Sequence, residues 1–142
     1  FDYCHWFGEI LLSDDKKACA LIIFPAKKKT TFKSIVADIK LITSCTGLSN
    51  AKRAMQREAT IKKVQPSHPF AYLWFIGVSP AEQNNGAGTV LLRQILEKSK
   101  TEGRPVILET STERNLPWYL KHGFKIYKEL DFGYKLFCMK SL

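Results

Sequence analysis

Apolar and polar positions divide the first half of the chain into short candidate elements. Aromatic and branched residues predict a strand at Phe1–Leu12, and the apolar stretch Lys17–Phe24 predicts a second strand. A turn-forming cluster between them favours an antiparallel hairpin. Apolar positions then recur at helical spacing over Phe32–Thr43, and an N-cap at Asn50 predicts another helix that ends at about Lys63.

The second half follows a different pattern, in which apolar strands alternate with helices. Phe70–Val78 is apolar almost throughout, which predicts a central strand that is covered on both faces. Over Thr89–Lys100, apolar residues recur on one side of a helix and charged residues on the other, which predicts an amphipathic helix. A short helix is predicted from Asn115 to Gly123. The remaining predicted strands are Val106–Ser111, Phe124–Leu130 and Tyr134–Met139. Together these elements predict one α/β domain that spans residues 1–142.

Composition and charge narrow the class of protein. Apolar residues make up 45% of the chain and charged residues 25%, values typical of a soluble globular domain. Four cysteines without a CxxC pair predict reduced thiols in a cytoplasmic protein, and no metal site is predicted. The net charge of +9 favours an anionic partner, either a nucleic acid or a phosphorylated cofactor. Three adjacent lysines, Lys27 to Lys29, are weak evidence for nucleic acid, and no membrane partner is predicted.

A turn with two glycines connects the strand Phe70–Val78 to the following helix. Glycines at 86 and 88 let a backbone approach a ligand without an intervening Cβ atom. The first N–H groups of the helix, together with its dipole, suit phosphate oxygens, and Thr89 adds a hydroxyl. A dinucleotide site would need a third glycine, and a Walker loop would need a lysine directly after Gly88. An ordinary tight turn without a ligand is the remaining alternative.

Two segments resemble signatures of the GNAT superfamily of acetyl-CoA-dependent N-acetyltransferases. The pattern Q/R-x-x-G-x-G/A at Gln83–Gly88 resembles its acetyl-CoA signature, and Asn115–Phe124 resembles its tyrosine helix that ends in Gly-Phe. Leu108–Ser111 also resembles the corresponding strand of a subset of the family. The resemblance covers about Phe70–Met139. It implies a mixed α/β sheet with splayed central strands flanked by helices, and acetyl transfer from acetyl-CoA to a primary amine.

The resemblance also assigns a cofactor site. It implies that the pantetheine arm pairs with the backbone of one strand, at Phe75, Ile76, Gly77 and Val78. It implies that the pyrophosphate is wrapped by Gln83, Asn84, Asn85, Gly86, Ala87, Gly88 and Thr89. Asn115 is expected to bond the pantetheine arm, to cap its own helix, or to do both.

Two residues are the candidate catalytic groups. Tyr119 matches the tyrosine that protonates the departing thiolate in many family members, and a phenol is neutral at pH 7. The alternative for Tyr119 is a side chain that only packs. Glu109 is the candidate general base, because a carboxylate within an apolar strand needs a reason to be there. A salt bridge or backbone contact is its alternative role, and Glu9 is a weaker candidate base.

The sequence departs from the family pattern at its start. A complete domain of this family usually has a strand and one or two helices before the hairpin, so an N-terminal truncation is expected. The alternative is that helices within Phe32–Lys63 substitute for the missing ones. A weak or inactive acyl-CoA-binding module and a protein lysine or N-terminal acetyltransferase are the other functional hypotheses. The expected partners are acetyl-CoA and an amine acceptor, and a homodimer is left open.

Overall fold

The computed structural model describes residues 7–27, 53–83 and 85–142. Six strands in these residues form one mixed sheet, in the order β1-β2-β3-β4-β6-β5. They are β1 (Gly8–Leu12), β2 (Ala18–Ile23), β3 (Ala71–Val78), β4 (Val106–Thr110), β5 (Phe124–Asp131) and β6 (Lys135–Ser141). Only β3 and β4 pair in parallel among them, and every other pairing is antiparallel. The predicted hairpin, over β1 and β2, and the predicted mixed α/β sheet are therefore confirmed. The start of the first predicted strand lies outside the described residues.

The described helices belong to two compact units of the chain. Helix α1, residues 53–64, lies in the unit formed by Lys28–His68. It confirms the C-terminal part of the second predicted helix, whose start lies outside the described residues. The predicted helix at Phe32–Thr43 also lies outside them. Among the described residues, no helix has the length and apolarity needed to cross a membrane.

The other unit, residues 1–27 and 69–142, carries the sheet and two further helices. These are α2 (Ala87–Thr101) and the short α3 (Leu116–Lys121). In the described part of this unit, 3-10 helix occurs as single turns at Pro25–Lys27, Pro80–Glu82 and Glu113–Asn115. Helix α2 begins two residues earlier than predicted, because Gly86 already has the left-handed conformation that ends the preceding loop. Gly88 and Thr89 consequently lie inside its first turn.

Helices α2 and α3 share one hydrophobic core with one face of the sheet, called here the helix-bearing face. The apolar stripe of α2 supplies Leu91, Leu92 and Ile95, each at most 1% exposed. A fully buried leucine or isoleucine stabilises a fold by roughly 1.5–3 kcal/mol, so this stripe fixes α2 on the sheet. The core continues through Ala20, Ile22, Leu73, Leu108, Tyr119, Phe124 and Met139.

Strand β3 corrects the prediction that Phe70–Val78 is covered on both faces. Ala71 and Leu73 are buried, but Trp74 is 40% exposed and Phe75 is 50% exposed. The pairing with β2 passes from Leu73 directly to Phe75, so Trp74 forms a bulge. A bulge bends its strand and increases the local twist. Apolar side chains near the middle of β3 are therefore partly exposed to solvent.

Candidate functional site

A gap opens between the two parallel strands in the middle of the sheet. Strands β3 and β4 are in register only at Ala71 with Val106 and at Tyr72 with Ile107. Beyond these two pairs, β3 continues against β2 while β4 continues against β6. Backbone N–H and C=O groups need partners, so two diverging strands offer a ligand an edge to bind. The predicted splaying of the central strands is confirmed.

The N-terminus of α2 lies at the end of the segment that follows β3. Its first intrahelical hydrogen bond runs from the N–H of Val90 to the carbonyl oxygen of Gly86, at 3.0 Å. The N–H groups of Ala87, Gly88 and Thr89 precede that bond, so none of them has an acceptor within the helix. With the positive end of the helix dipole, they form an arrangement that suits phosphate oxygens.

The two glycines of the turn have different structural roles. Gly86 has a φ of +85°, and a Cβ atom placed on it would meet nothing within 4 Å. A Cβ atom on Gly88 would instead lie 3.1 Å from Cγ2 of Val78 and 3.9 Å from Cζ2 of Trp118. Gly86 therefore leaves the outer side of the turn open, whereas Gly88 lets α2 pack closely on β3. Gly86 and the backbone N–H of Gly88 both stay candidate contacts for a ligand, and the absent side chain of Gly88 also makes room for Val78.

An ion pair braces the loop that leads into this turn. Lys17 Nζ donates to Oε1 of Glu82 at 2.6 Å, and Asn85 Nδ2 donates to Oε2 of the same carboxylate at 3.2 Å. The bond from Lys17 holds the pKa of Glu82 below its usual range. The N–H of Ser79 also donates to the carbonyl oxygen of Lys17, at 2.7 Å. The loop is thus tied to the residue that precedes β2.

Tyr119 lies on α3, within the core of the helix-bearing face. Its side chain is 7% exposed. Its ring lies 4.9 Å from the ring of Trp118 and 5.6 Å from that of Phe124, measured between centroids. Burial raises the pKa of Tyr119 above the ordinary value of 10.0, so the phenol keeps its proton at neutral pH. A neutral, positioned phenol is able to donate a proton to a thiolate.

Glu109 lies on β4 and faces the side of the sheet opposite the helices. Its neighbour Leu108 belongs to the core of the helix-bearing face, and side chains alternate along a strand. Glu109 pairs in register with Cys138 of β6, and its Oε2 atom is buried. Tyr119 and Glu109 therefore lie on opposite faces of the sheet, with Glu109 on the part of β4 that has left β3.

Two groups near Glu109 were missed by sequence reasoning. Burial raises the pKa of the Cys138 thiol to about 11, and the charge of Glu109 adds to this effect. Burial also raises the pKa of Tyr127, with Cys138 and Glu109 as the next causes. The hydroxyl of Tyr127 is buried. Glu109, Tyr127 and Cys138 thus form a cluster of titratable groups, which only the β4-β6-β5 register brings together.

The other predicted site residues have these positions. Asn115 is exposed and has helical backbone angles, and its side chain makes no capping bond, so the capping alternative is wrong. A single 3-10 turn leads into α3 instead. Glu9 forms an ion pair with Lys98 of α2, at the edge of the sheet away from β4. Gln83 ends the 3-10 turn before the glycines, and Asn84 lies outside the described residues.

Comparison with known proteins decides the family. The sequence model described as "Acetyltransferase (GNAT) family" matches residues 50–124, which is more than half of the chain. The chain belongs to the GNAT acetyltransferase family. The match contains the gap, the turn at Gly86 and helix α3 with Tyr119, so the resemblance found in the sequence is confirmed.

Solved GNAT structures share the fold of this chain. A histone acetyltransferase HPA2 and related acetyltransferase from Corynebacterium glutamicum is 16% identical, with a TM-score of 0.59 over 93% of this chain and 61% of its own. Arylalkylamine N-acetyltransferase 2 from Aedes aegypti is 14% identical, with a TM-score of 0.60 over 94% and 71%. Naa20 from Chaetomium thermophilum, in complex with a bisubstrate analogue, is 10% identical, with a TM-score of 0.56 over 93% and 63%. The chain thus spans about three fifths of the first of these proteins.

Proposed function

We propose that this GNAT domain transfers an acetyl group from acetyl-CoA to a primary amine, by direct attack in a ternary complex. The acceptor is a small molecule or a peptide. The observation that carries the proposal is the gap between β3 and β4 beyond Tyr72 and Ile107, with the open turn at Gly86 following β3. An extended ligand with an anionic end matches both features.

The proposed donor site uses backbone groups more than side chains. The pantetheine arm lies along the free edge of β3 at Phe75, Ile76, Gly77 and Val78. The pyrophosphate accepts hydrogen bonds from the N–H groups that begin α2. The apolar composition of β3 is consistent with this arrangement, because backbone contacts leave the side chains free to be hydrophobic. The exposed Asn115 side chain, which no helix cap engages, is available to the arm.

The proposed chemistry places one group on each face of the sheet. The lone pair of the acceptor nitrogen attacks the thioester carbon, a C–N bond forms and the C–S bond breaks. Glu109 takes the proton lost by the amine, either directly or through a water molecule. Tyr119 gives its proton to the departing sulfur, because a neutral thiol leaves more easily than a thiolate anion. The burial of Tyr119 supports this role by keeping the phenol protonated.

Two acceptor classes fit this proposal. The similar structures include an enzyme named for arylalkylamines and a Naa20 protein solved with a bisubstrate analogue. Their low sequence identity transfers only the fold, so small amines and peptide amines are both to be screened. A cytoplasmic location stays a prediction from sequence, and the oligomeric state stays open.

The first test is calorimetric titration of acetyl-CoA into the purified chain and two variants. Gly86→Glu puts a negative side chain into the open space beside the turn and is expected to abolish binding. Gly103→Glu is the matched control, because Gly103 also has a positive φ and open space around its missing Cβ atom. It lies beyond the other end of α2 and is expected to bind like the wild type. Equal affinities for all three folded proteins would disprove the proposed donor site.

A second test addresses the chemistry separately from binding. Glu109→Gln is expected to leave the affinity for acetyl-CoA unchanged and to lower the rate of amide formation by about 10²–10⁴-fold, as for a general base. Product is measured by mass spectrometry with an arylalkylamine and with a short peptide. Binding without product for any acceptor would instead favour an acyl-CoA-binding module.

A further inference from the structure

One side chain outside the predicted site contacts the first turn of α2. Trp118 Nε1 donates a hydrogen bond to Oγ1 of Thr89, at 3.2 Å. The indole also lies near Gly88, with Cζ2 at 3.9 Å from the position that a Cβ atom would take there. The sequence gives no signal for this contact, since the two residues are 29 positions apart. The bond joins α3 to the N-terminus of α2.

This bond determines what the Thr89 hydroxyl is able to do. A threonine hydroxyl has one hydrogen to donate and two lone pairs that accept. Within helices, threonine commonly donates that hydrogen to the carbonyl four residues earlier. Thr60 and Thr101 do so here, to Gln56 at 2.9 Å and to Glu97 at 3.0 Å. Thr89 instead accepts from Trp118, which leaves its hydrogen available for an acceptor at the end of the helix.

Trp118 itself is held in place by its neighbours. Its ring lies 4.9 Å from the ring of Tyr119 and 5.4 Å from that of His122, between centroids. Its carbonyl oxygen lies 2.7 Å from Nδ1 of His122. The indole nitrogen has a hydrogen to donate and no acceptor capacity, so its bond fixes Thr89 in the accepting role. A fixed donor is worth more to a ligand than a rotating one, because less conformational freedom is lost on binding.

We propose that Trp118 is a positioning residue for the anionic end of the acyl donor. It holds the Thr89 hydroxyl so that its hydrogen points to the same phosphate as the N–H groups of Ala87 and Gly88. This inference rests on the proposed donor site. The adjacent residue in the chain is Tyr119, so α3 contributes to both ends of the acyl donor. The indole positions the Thr89 hydroxyl at the pyrophosphate, and the phenol donates its proton to the sulfur.

The test is a double-mutant cycle with CoA as the ligand, measured by calorimetry. Thr89→Val removes the hydroxyl at nearly constant shape and is expected to weaken CoA binding about tenfold or more, as for a hydrogen bond to a charged group. Trp118→Phe keeps an aromatic ring without the N–H and is expected to weaken binding by about two- to tenfold. In the Thr89→Val background, Trp118→Phe is expected to have no further effect. Equal weakening in both backgrounds would overturn the proposal.

Pantetheine serves as the control ligand, because it has the thiol arm without the pyrophosphate. Titrations followed by NMR are expected to give the same pantetheine affinity for the wild type and both variants, with dissociation constants that agree within about twofold. A comparable loss for pantetheine and CoA would show that Trp118 acts only through the packing of α3, and would refute the proposed role.

Two further results keep the inference separate from the donor site and from misfolding. If Gly86→Glu abolishes CoA binding while Trp118→Phe leaves it unchanged, the donor site stands and the role of Trp118 is wrong. If Trp118→Phe does not fold, the indole N–H signal of Trp118 in an ¹H–¹⁵N spectrum provides the readout. Thr89→Val is expected to shift that signal upfield and Thr89→Ser to preserve it. An unshifted signal in Thr89→Val would overturn the proposal.

Discussion

Replacing Tyr119 by phenylalanine tests the proposed general acid most directly, because the change removes one hydroxyl from a packed ring. The contacts of the ring with Trp118 and Phe124, at 4.9 Å and 5.6 Å, are kept. A shape-conserving change in a core usually costs less than about 1.5 kcal/mol, so the variant is expected to fold. The loss of a positioned acid is expected to lower kcat by about 10²–10⁴-fold, while the affinity for acetyl-CoA stays unchanged.

The assay follows CoA release by chromatography, with acetyl-CoA and the best acceptor from the screen. Tyr134→Phe is the matched control, since Tyr134 is 46% exposed in the turn between β5 and β6. The raised pKa of Tyr119 also predicts the pH profile: the phenol stays protonated below pH 10, and kcat limited by this acid declines only as the pH rises above that value. A Tyr119→Phe enzyme with the kcat of Tyr134→Phe would refute the acid role and leave Tyr119 as a packing residue.

Three further predictions concern the elements that support the site. Gly88→Ala is expected to be less favourable in the wild type, where the new Cβ would lie 3.1 Å from Val78 Cγ2, than in a Val78→Ala background, where helix propensity contributes up to about 1 kcal/mol. Urea unfolding measures both effects, and equal effects would contradict the packing argument. The ion pair of Glu82 with Lys17 is expected to make stability fall as the pH drops from the unfolded pKa of Glu82, near 4.5, through its lower native pKa, because protonation weakens the pair. A Glu82→Gln protein whose stability depends on pH like that of the wild type would refute this. In a variant in which the other three cysteines are replaced, a thiol reagent is expected to label Cys138 only on unfolding, because the thiol is buried and burial raises its pKa to about 11. Rapid labelling of the native variant would contradict that burial.

Periodicity along the chain predicted the elements well and their environment less well. The alternation of strand and helix after residue 70 gave the right order for β3, α2, β4, α3, β5 and β6, with bounds correct to within about two residues. The apolar stretch that became β3 was interpreted as fully covered, because hydrophobicity alone does not distinguish an enclosed strand from one that borders a gap. The bulge at Trp74 has no sequence signal of its own, since it depends on the register with β2.

The candidate site shows the same division between local and long-range information. The turn at Gly86 and the helix with Tyr119 are each continuous in sequence, so their motifs were recognisable. The difference between Gly86 and Gly88 was not, because it depends on where Val78 and Trp118 lie. The cluster of Glu109 with Tyr127 and Cys138 likewise needs three strands in register. Motifs that are continuous in sequence could therefore be recognised, whereas contacts between residues far apart in the sequence could not.

Helix α2 links the integrity of the sheet to the site at its N-terminus. The diverging edges of β3 and β4 do not bond each other, so the sheet is joined there by only two register pairs. Helix α2 contacts β2, β3 and β4, and its buried residues Leu92 and Ile95 belong to the core that spans the gap. The absent side chain of Gly88, in the first turn of α2, leaves room for Val78 Cγ2, which would lie 3.1 Å from a Cβ atom there. The same turn carries the N–H groups without an acceptor in the helix. The packing that keeps the two halves of the sheet together therefore also fixes the direction of those N–H donors.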